Sequence, residues 1–363
     1  MGKRPDVPTA GTAISAIALL GLAEQLANSL ARVPFREPWK GPSSVPHNLG
    51  QAVTRQVLRS FMGYSSSLPI EEFRSIEVVL DDLARVALPP VIRRMGVVAA
   101  DGEVGGVPGR WYRGRGRAAL GTIAYFHGGG YCIGSIASHR DLGARLAVAS
   151  GTAVCLLDYR LAPEHPFPGA VDDATAAYRE LLAQGIGPEG LALAGDSAGG
   201  GLVFATLLAL RAAGDPLPAA AVGFSPWVDL TQTSDSYDRL AAVDPMISRE
   251  SLQVLADAYL AGADPTTPLA SPLHGDLQGL PPLLIEVGEN ESLLDEAVAL
   301  AERARAAGVD VTLRTWPDMI HVFQAFPPDL VPEAAESLTG VAAFLADHLA
   351  PSPTTVGNRS ENS

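Results

Sequence analysis

Past residue 90 the chain settles into one repeating alternation, which constrains the fold more than any other feature of the sequence. Short apolar runs, MGVVAA, VPGRWY, GTIAYF, TAVCLLD, LALAG, AAVGFS, PLLIEVG and VDVTLRTW, alternate with Ala- and Leu-rich stretches over 138–150, 170–184, 199–213, 292–307 and 333–349. Short runs bounded by turn residues, alternating with helical stretches, read as strands buried between layers of helix. The spacing predicts an α/β fold built on a mostly parallel eight-stranded sheet flanked by helices. The stretch 231–271 breaks the alternation and reads as a helical insertion standing above the sheet.

The two ends differ from this middle. Residues 1–85 read as helical segments broken by the Pro-, Gly- and Ser-containing stretch 34–46, ahead of a main domain over 86–350. Their apolar run Ala13–Ala23 is too short to span a bilayer, which takes roughly 20 residues. Ile14, Ile17, Leu20, Ala23 and Leu30 recur at near-helical spacing, so residues 10–33 read as an amphipathic helix packed on the body. A helix lying on a membrane surface and a cleaved signal are the alternatives. The segment 351–363, PSPTTVGNRSENS, is polar and reads as a disordered tail.

Composition narrows the function. Apolar residues make up 47% of the chain and charged ones 18%, the balance of a globular protein. Forty acidic against twenty-six basic residues leave a net charge of -14, which argues against nucleic acid as a partner, since phosphates call for a basic face. Neutral or cationic small molecules fit better. The two cysteines, Cys132 and Cys155, have neither disulfide nor metal-site spacing and read as free thiols, compatible with a cytoplasmic protein.

The chemistry is concentrated at one strand-to-helix junction. LALAGDSAGG runs from a strand into a helix and carries Gly195-Asp196-Ser197-Ala198-Gly199, a G-x-S-x-G turn that presents the Ser197 hydroxyl as a nucleophile. The helix that follows brings backbone N–H groups and a positive dipole end near the serine. Upstream, IAYFHGGGYCIGS places three glycines where another strand ends. Attack of a serine on an acyl carbon creates an oxyanion, and fixed backbone N–H groups stabilise it best where no side chain intervenes. The loop amides at Gly128, Gly129 and Gly130, with that of Ala198, are the candidate donors. His127 reads as a tie between this loop and neighbouring backbone.

With these residues in place the sequence resembles the hormone-sensitive-lipase-like branch of the α/β-hydrolases, the bacterial family IV esterases. HGGGYCIGS, DYRLAPEHPFPGAVDDA, GDSAGG and PDMIHVFQAF carry the likeness, with FSPWVDL, DPMIS and SPLHGDLQGLPPLLIEVGENESLLDEA between them. The resemblance covers residues 95–348 and implies an α/β-hydrolase fold with a helical cap, to which 1–85 and the insertion 231–271 contribute. It also implies no metal or organic cofactor, and pairing of two copies through the edge of the sheet.

In this fold the triad runs Ser, acid, His along the chain, which leaves His274, His321 and His348 as downstream bases. His321, just past the last strand, is the candidate by position and by resemblance. The family usually carries Asp-Pro-Leu after the penultimate strand. This chain departs from it with Asn290-Glu291-Ser292-Leu293-Leu294-Asp295, a register that puts Glu291 at the acid position. Asp295 is the alternative acid, ahead of Glu289 and Asp318, while Arg160 and Glu164 read as local ion pairs bracing the oxyanion loop. The expected activity is that of a serine carboxylesterase on short-to-medium acyl esters. A lactone, amide or carbamate hydrolase using the same residues is an alternative, as is a ligand-binding member of the fold without catalysis. RSFMGYSSSLPIEEF, in the N-terminal segment, is the stretch expected to line an acyl pocket.

Overall fold

The computed structural model describes residues 94–350 apart from 117 and 118, together with 21, 23, 24, 27, 28, 31, 55–60, 62, 63, 68–75, 77, 78 and 92. Most of the expected 10–33 helix and the whole segment 351–363 therefore lie outside the described residues. Among the described residues no helix is long and apolar enough to cross a membrane.

The strands are β1 (Val97–Val104), β2 (Val107–Gly114), β3 (Thr122–Phe126), β4 (Ala153–Leu157), β5 (Leu191–Asp196), β6 (Ala220–Phe224), β7 (Leu283–Gly288) and β8 (Val311–Trp316). They form one sheet in the order β1-β2-β4-β3-β5-β6-β7-β8. β1, β2 and β4 pair antiparallel, and every pairing from β4 through β3 to β8 is parallel. All residues of β3, β4, β5, β6 and β7 are buried, which is why these runs are apolar throughout rather than alternating. β1 continues past its apolar half through Asp101-Gly102-Glu103, residues of poor strand propensity, because β2 pairs with each of them.

Among the described residues from 94 on, the longer helices are α1 (Ile136–Ser150), α2 (Gly169–Ala183), α3 (Ala198–Ala213), α5 (Leu294–Ala306) and α6 (Pro332–His348), which flank the sheet, and α4 (Arg249–Leu260), which lies in the stretch 231–271. Alternation along the strands sorts the core into two layers. Ile123, Tyr125, Val154 and Leu156 join residues of α1 and α6, whereas Ala124, Phe126, Cys155 and Leu157 join those of α2, α3 and α5. α1 begins at Ser135, whose hydroxyl accepts from the amides of Ala137 and Ser138, and ends at Gly151 in the left-handed region. The stretch 231–271 holds one helical turn, Ser236–Arg239, and α4. All loops that follow the parallel strands open at the same edge of the sheet, where ligands of open α/β folds bind.

Candidate active site

Ser197 sits between β5 and α3 with φ 53° and ψ -123°, a backbone state that costs a side-chain-bearing residue on the order of 1–3 kcal/mol. The turn is held on both sides. Ser197 donates its amide to the Phe224 carbonyl at 2.9 Å, and its own carbonyl accepts from Gly201 and Trp227, each at 2.9 Å. Gly195 and Gly199 face each other so closely that a Cβ on the first would collide with the Gly199 carbonyl, and one on the second with the Phe126 carbonyl. That contact is the physical content of the G-x-S-x-G spacing.

The glycine loop follows β3 and folds against this turn. Gly129 has φ 118°, and a Cβ there would strike the Ile133 carbonyl. Its carbonyl accepts from Cys132 and Ile133, which closes the loop. Among the described residues no hydrogen bond takes up the amides of Gly129, Gly130 or Ala198, whereas the Gly128 amide is directed at His139 Nε2, 3.3 Å away. His127 stacks on Tyr159 and places Nδ1 2.7 Å from the Gly128 carbonyl. Cys132, beside the loop, is buried, and that burial pushes its thiol up to about 12, away from the reactive thiolate.

The structure brings His321 and Glu291 together from the loops after β8 and β7. His321 Nδ1 lies 3.1 Å from Glu291 Oε1, and both side chains are buried. A carboxylate only accepts, so Nδ1 carries the proton and the neutral ring keeps its lone pair on Nε2. The other Glu291 oxygen accepts from Gly288 N at 2.9 Å and Ser225 Oγ at 2.7 Å. Ser225 Oγ in turn accepts from the Val322 amide at 3.1 Å, so one hydroxyl joins the acid turn to the histidine loop. Burial alone lowers the pKa of His321, but the hydrogen bond and charge of Glu291, with Asp244 and Asp196 further off, turn the net direction upward.

Asp295 is not at this site; it lies in the first turn of α5, paired with Arg239 at 2.5 Å. Glu289 and Asp318 are exposed. His274 pairs with Asp229 at 3.0 Å, and His348 places Nδ1 2.7 Å from the Phe344 carbonyl at the end of α6. Arg160 and Glu164 have separate partners. Arg160 binds Asp173, while Glu164 meets Arg74 at 2.7 Å. Arg74, buried, also donates to the carbonyls of Cys132 and Ala162 and so pins the glycine loop from the N-terminal segment. No motif in the sequence points to Arg74 or to the part that Ser225 plays here. Ser225 lies within FSPWVDL, but a serine beside a proline carries no signal of its partners.

Ser197, His321 and the glycines open on one cavity of about 470 Å³, within the range of about 300–1,000 Å³ usual for small-molecule sites. Met62, Leu68, Ile70 and Phe73, from the stretch RSFMGYSSSLPIEEF, line it together with Met246, Ile247, Leu252 and Leu255 from the insertion. Among the described residues no cluster of His, Cys, Asp or Glu is arranged to hold a metal.

A family model described as the alpha/beta hydrolase fold matches residues 123–325. The chain is an α/β hydrolase. It is 52% identical over 224 residues to an acetyl-hydrolase of Streptomyces hygroscopicus, a match covering 62% of this chain and 75% of that protein. It is 39% identical over 228 residues to an esterase of Acinetobacter venetianus, covering 62% and 75%. Among solved structures, an esterase from the bacterial hormone-sensitive lipase family superposes with a TM-score of 0.70 at 38% identity, covering 94% of this α/β hydrolase and 100% of that chain. The esterase EstE5, in a crystal soaked with p-nitrophenyl butyrate, gives a TM-score of 0.67 at 43% identity, covering 74% and 97%. These matches place the α/β hydrolase in the hormone-sensitive-lipase-like branch.

Proposed function

We propose that this α/β hydrolase is a serine carboxylesterase acting on esters of short to medium acyl chains through an acyl-enzyme intermediate. The reading is supported above all by the convergence of the strained Ser197, the Glu291-paired His321 and the glycine loop on one cavity. His321 Nε2 takes the Ser197 proton as Oγ attacks the ester carbonyl, and Glu291 stabilises the imidazolium that forms. Amides of the glycine loop and of Ala198 receive the oxyanion. The C–O bond then breaks, the alcohol leaves with the proton from His321, and water repeats the sequence on the acylated serine. The acetyl-hydrolase name of one relative and the butyrate ester soaked into another's crystal favour short acyl groups. A complete Ser-His-Glu set weighs against the purely ligand-binding alternative.

The same reading treats 1–85 and 231–271 as the cap over a catalytic domain of 86–350. The cytoplasm is proposed from the two free, buried cysteines. A dimer is proposed through β8, one of the two edge strands of the sheet. Hydrolysis of p-nitrophenyl esters from acetate to palmitate, by the wild type and Ser197→Ala side by side, tests the activity. A Ser197-dependent optimum at short chains is expected; equal rates from the two proteins would overturn the mechanism.

A further inference from the structure

His139 stands in the first turn of α1 on the cavity wall, and the reaction outlined above assigns it no task. Its side chain is 14% exposed, and its Nδ1 lies 2.9 Å from Ser138 Oγ and 3.3 Å from the Ser135 carbonyl. The Ser138 hydroxyl gives its one proton to the Ser135 carbonyl at 3.0 Å and so meets Nδ1 as an acceptor, as the carbonyl does, which places a proton on Nδ1 in either charge state. Two groups then converge on Nε2: Asp196 Oδ2 at 3.2 Å and the Gly128 amide at 3.3 Å. One nitrogen cannot serve both. Donating to Asp196 requires a proton there, and accepting from Gly128 requires a lone pair.

We propose that His139 is a positioning residue for the oxyanion loop, its charge deciding which way the Gly128 amide is turned. As an imidazolium it donates to Asp196 and leaves the Gly128 N–H to the cavity. As a neutral ring it draws that N–H away from the developing oxyanion. The inference rests on the esterase reading above.

The surroundings favour the charged form. Asp196 ends β5, one residue before Ser197, and its other oxygen accepts from Tyr125 of β3 at 2.7 Å. A Cβ on Gly128 would collide with this same carboxylate, so the loop rests directly on it. Glu77, from the N-terminal segment, lines the same cavity and accepts from the Gly134 amide at 2.6 Å. His127, on the glycine loop, has its ring centroid 5.4 Å from that of His139 and its Nε2 3.9 Å from Asp158. His321 lies on the wall of the same cavity. Burial of His139 opposes the charge, but Asp196, then the Ser135 carbonyl and Glu77, raise its pKa, and Asp196 is lowered in return.

The two histidines make opposite demands. His321 must be neutral to accept a proton, so kcat/KM rises as pH climbs through its pKa. His139 must be charged to free Gly128, so kcat/KM falls as pH climbs through its own. The profile is therefore bell-shaped, with the alkaline limb belonging to His139.

The experiment is the pH dependence of p-nitrophenyl butyrate hydrolysis by the full chain, from pH 5 to 10, for wild type, His139→Gln, Asp196→Asn and Glu77→Gln. His139→Gln is expected to lower kcat about 10–100-fold, somewhat less than outright loss of an oxyanion donor, while KM changes little. The same variant loses the alkaline limb and keeps the acid one. Asp196→Asn and Glu77→Gln remove a charge without removing the ring, so the alkaline limb moves to lower pH, further for Asp196. These two shifts carry the test if His139→Gln does not fold. An alkaline limb identical in all four proteins, or its absence from the wild type, overturns the proposal and leaves the esterase intact. A wild type with no Ser197-dependent turnover sinks both.

Discussion

The floor and the roof of the cavity are built by different means. On the floor, Ser197, Glu291 and His321 stand on loops that directly follow β5, β7 and β8, and main-chain bonds lock these loops to one another. Ser197 donates to Phe224, Ser225 to Glu286 at 2.7 Å, Glu289 to Trp316 at 3.0 Å and Asn290 to Met319 at 2.9 Å. The roof is tied down by side chains. Arg59 donates to the carbonyl of Ala242 at 2.7 Å, Arg74 reaches Cys132 and Ala162, and Asp244 accepts from the amides of Met246, Ile247 and Ser292. Backbone bonds between strands leave little freedom, as a reaction that tolerates small misplacements poorly requires. Side-chain ties with apolar filling allow the walls to be reshaped. Asp244 is the exception that joins the two, since its third bond goes to the residue after Glu291.

If this division is right, the floor answers to substitution with loss of turnover and the roof with change of preference. Glu291→Gln is the largest test after Ser197→Ala: kcat is expected to fall on the order of 10⁴-fold, whereas Asp295→Asn, which touches only an exposed ion pair with Arg239, stays near wild type. Stopped assays on p-nitrophenyl butyrate decide it, and the reverse ranking would move the acid to Asp295. The acid limb of the pH profile sharpens the same point. Glu291 is what lifts His321 above the usual imidazole value, so in residual Glu291→Gln activity that limb shifts to lower pH. An unmoved limb separates the carboxylate from the titrating base.

Gly129→Ala strikes the floor through the backbone. The Cβ meets the Ile133 carbonyl at a φ that side chains avoid, and a loss of about 10²–10³ in kcat is expected, as for a misplaced oxyanion donor. Near-wild-type kcat would show that the loop tolerates displacement. On the roof, Leu255→Ala opens the wall facing Gly130. It is expected to shift the ratio of kcat/KM for octanoate over acetate by about 10-fold, the lower end of what one methylene is worth in an apolar pocket. A uniform fall across all esters would make Leu255 a floor residue. The smallest effect belongs to Ser248→Ala, which removes the capping box of α4. It should cost about 1 kcal/mol and lower Tm by about 2–4 °C in a thermal melt; a larger drop would mean that α4 holds more than the roof.

Much of this was legible along the chain. The apolar runs could be assigned to strands because residues buried on both faces need no alternation. The Gly195–Gly199 turn was readable because strand, turn and helix are contiguous. β1 was under-read: Asp101 to Glu103 are strand only because β2 pairs with them. Arg160 and Glu164 lie close in sequence yet bind Asp173 and Arg74, the latter 90 residues away from Glu164.

By itself, then, the sequence determined the layering of helix on sheet, the serine turn, the glycine loop and the order of nucleophile, acid and base candidates. These are set by burial period and by neighbours a few residues apart. Only the tertiary structure decided that Glu291 rather than Asp295 faces His321, that Ser225 joins their loops, that Arg74 holds the glycine loop, and that His139 meets Gly128 and Asp196 on one nitrogen. A buried polar group takes whichever partner the packing brings within about 3 Å, and that partner comes from a strand end distant in the chain.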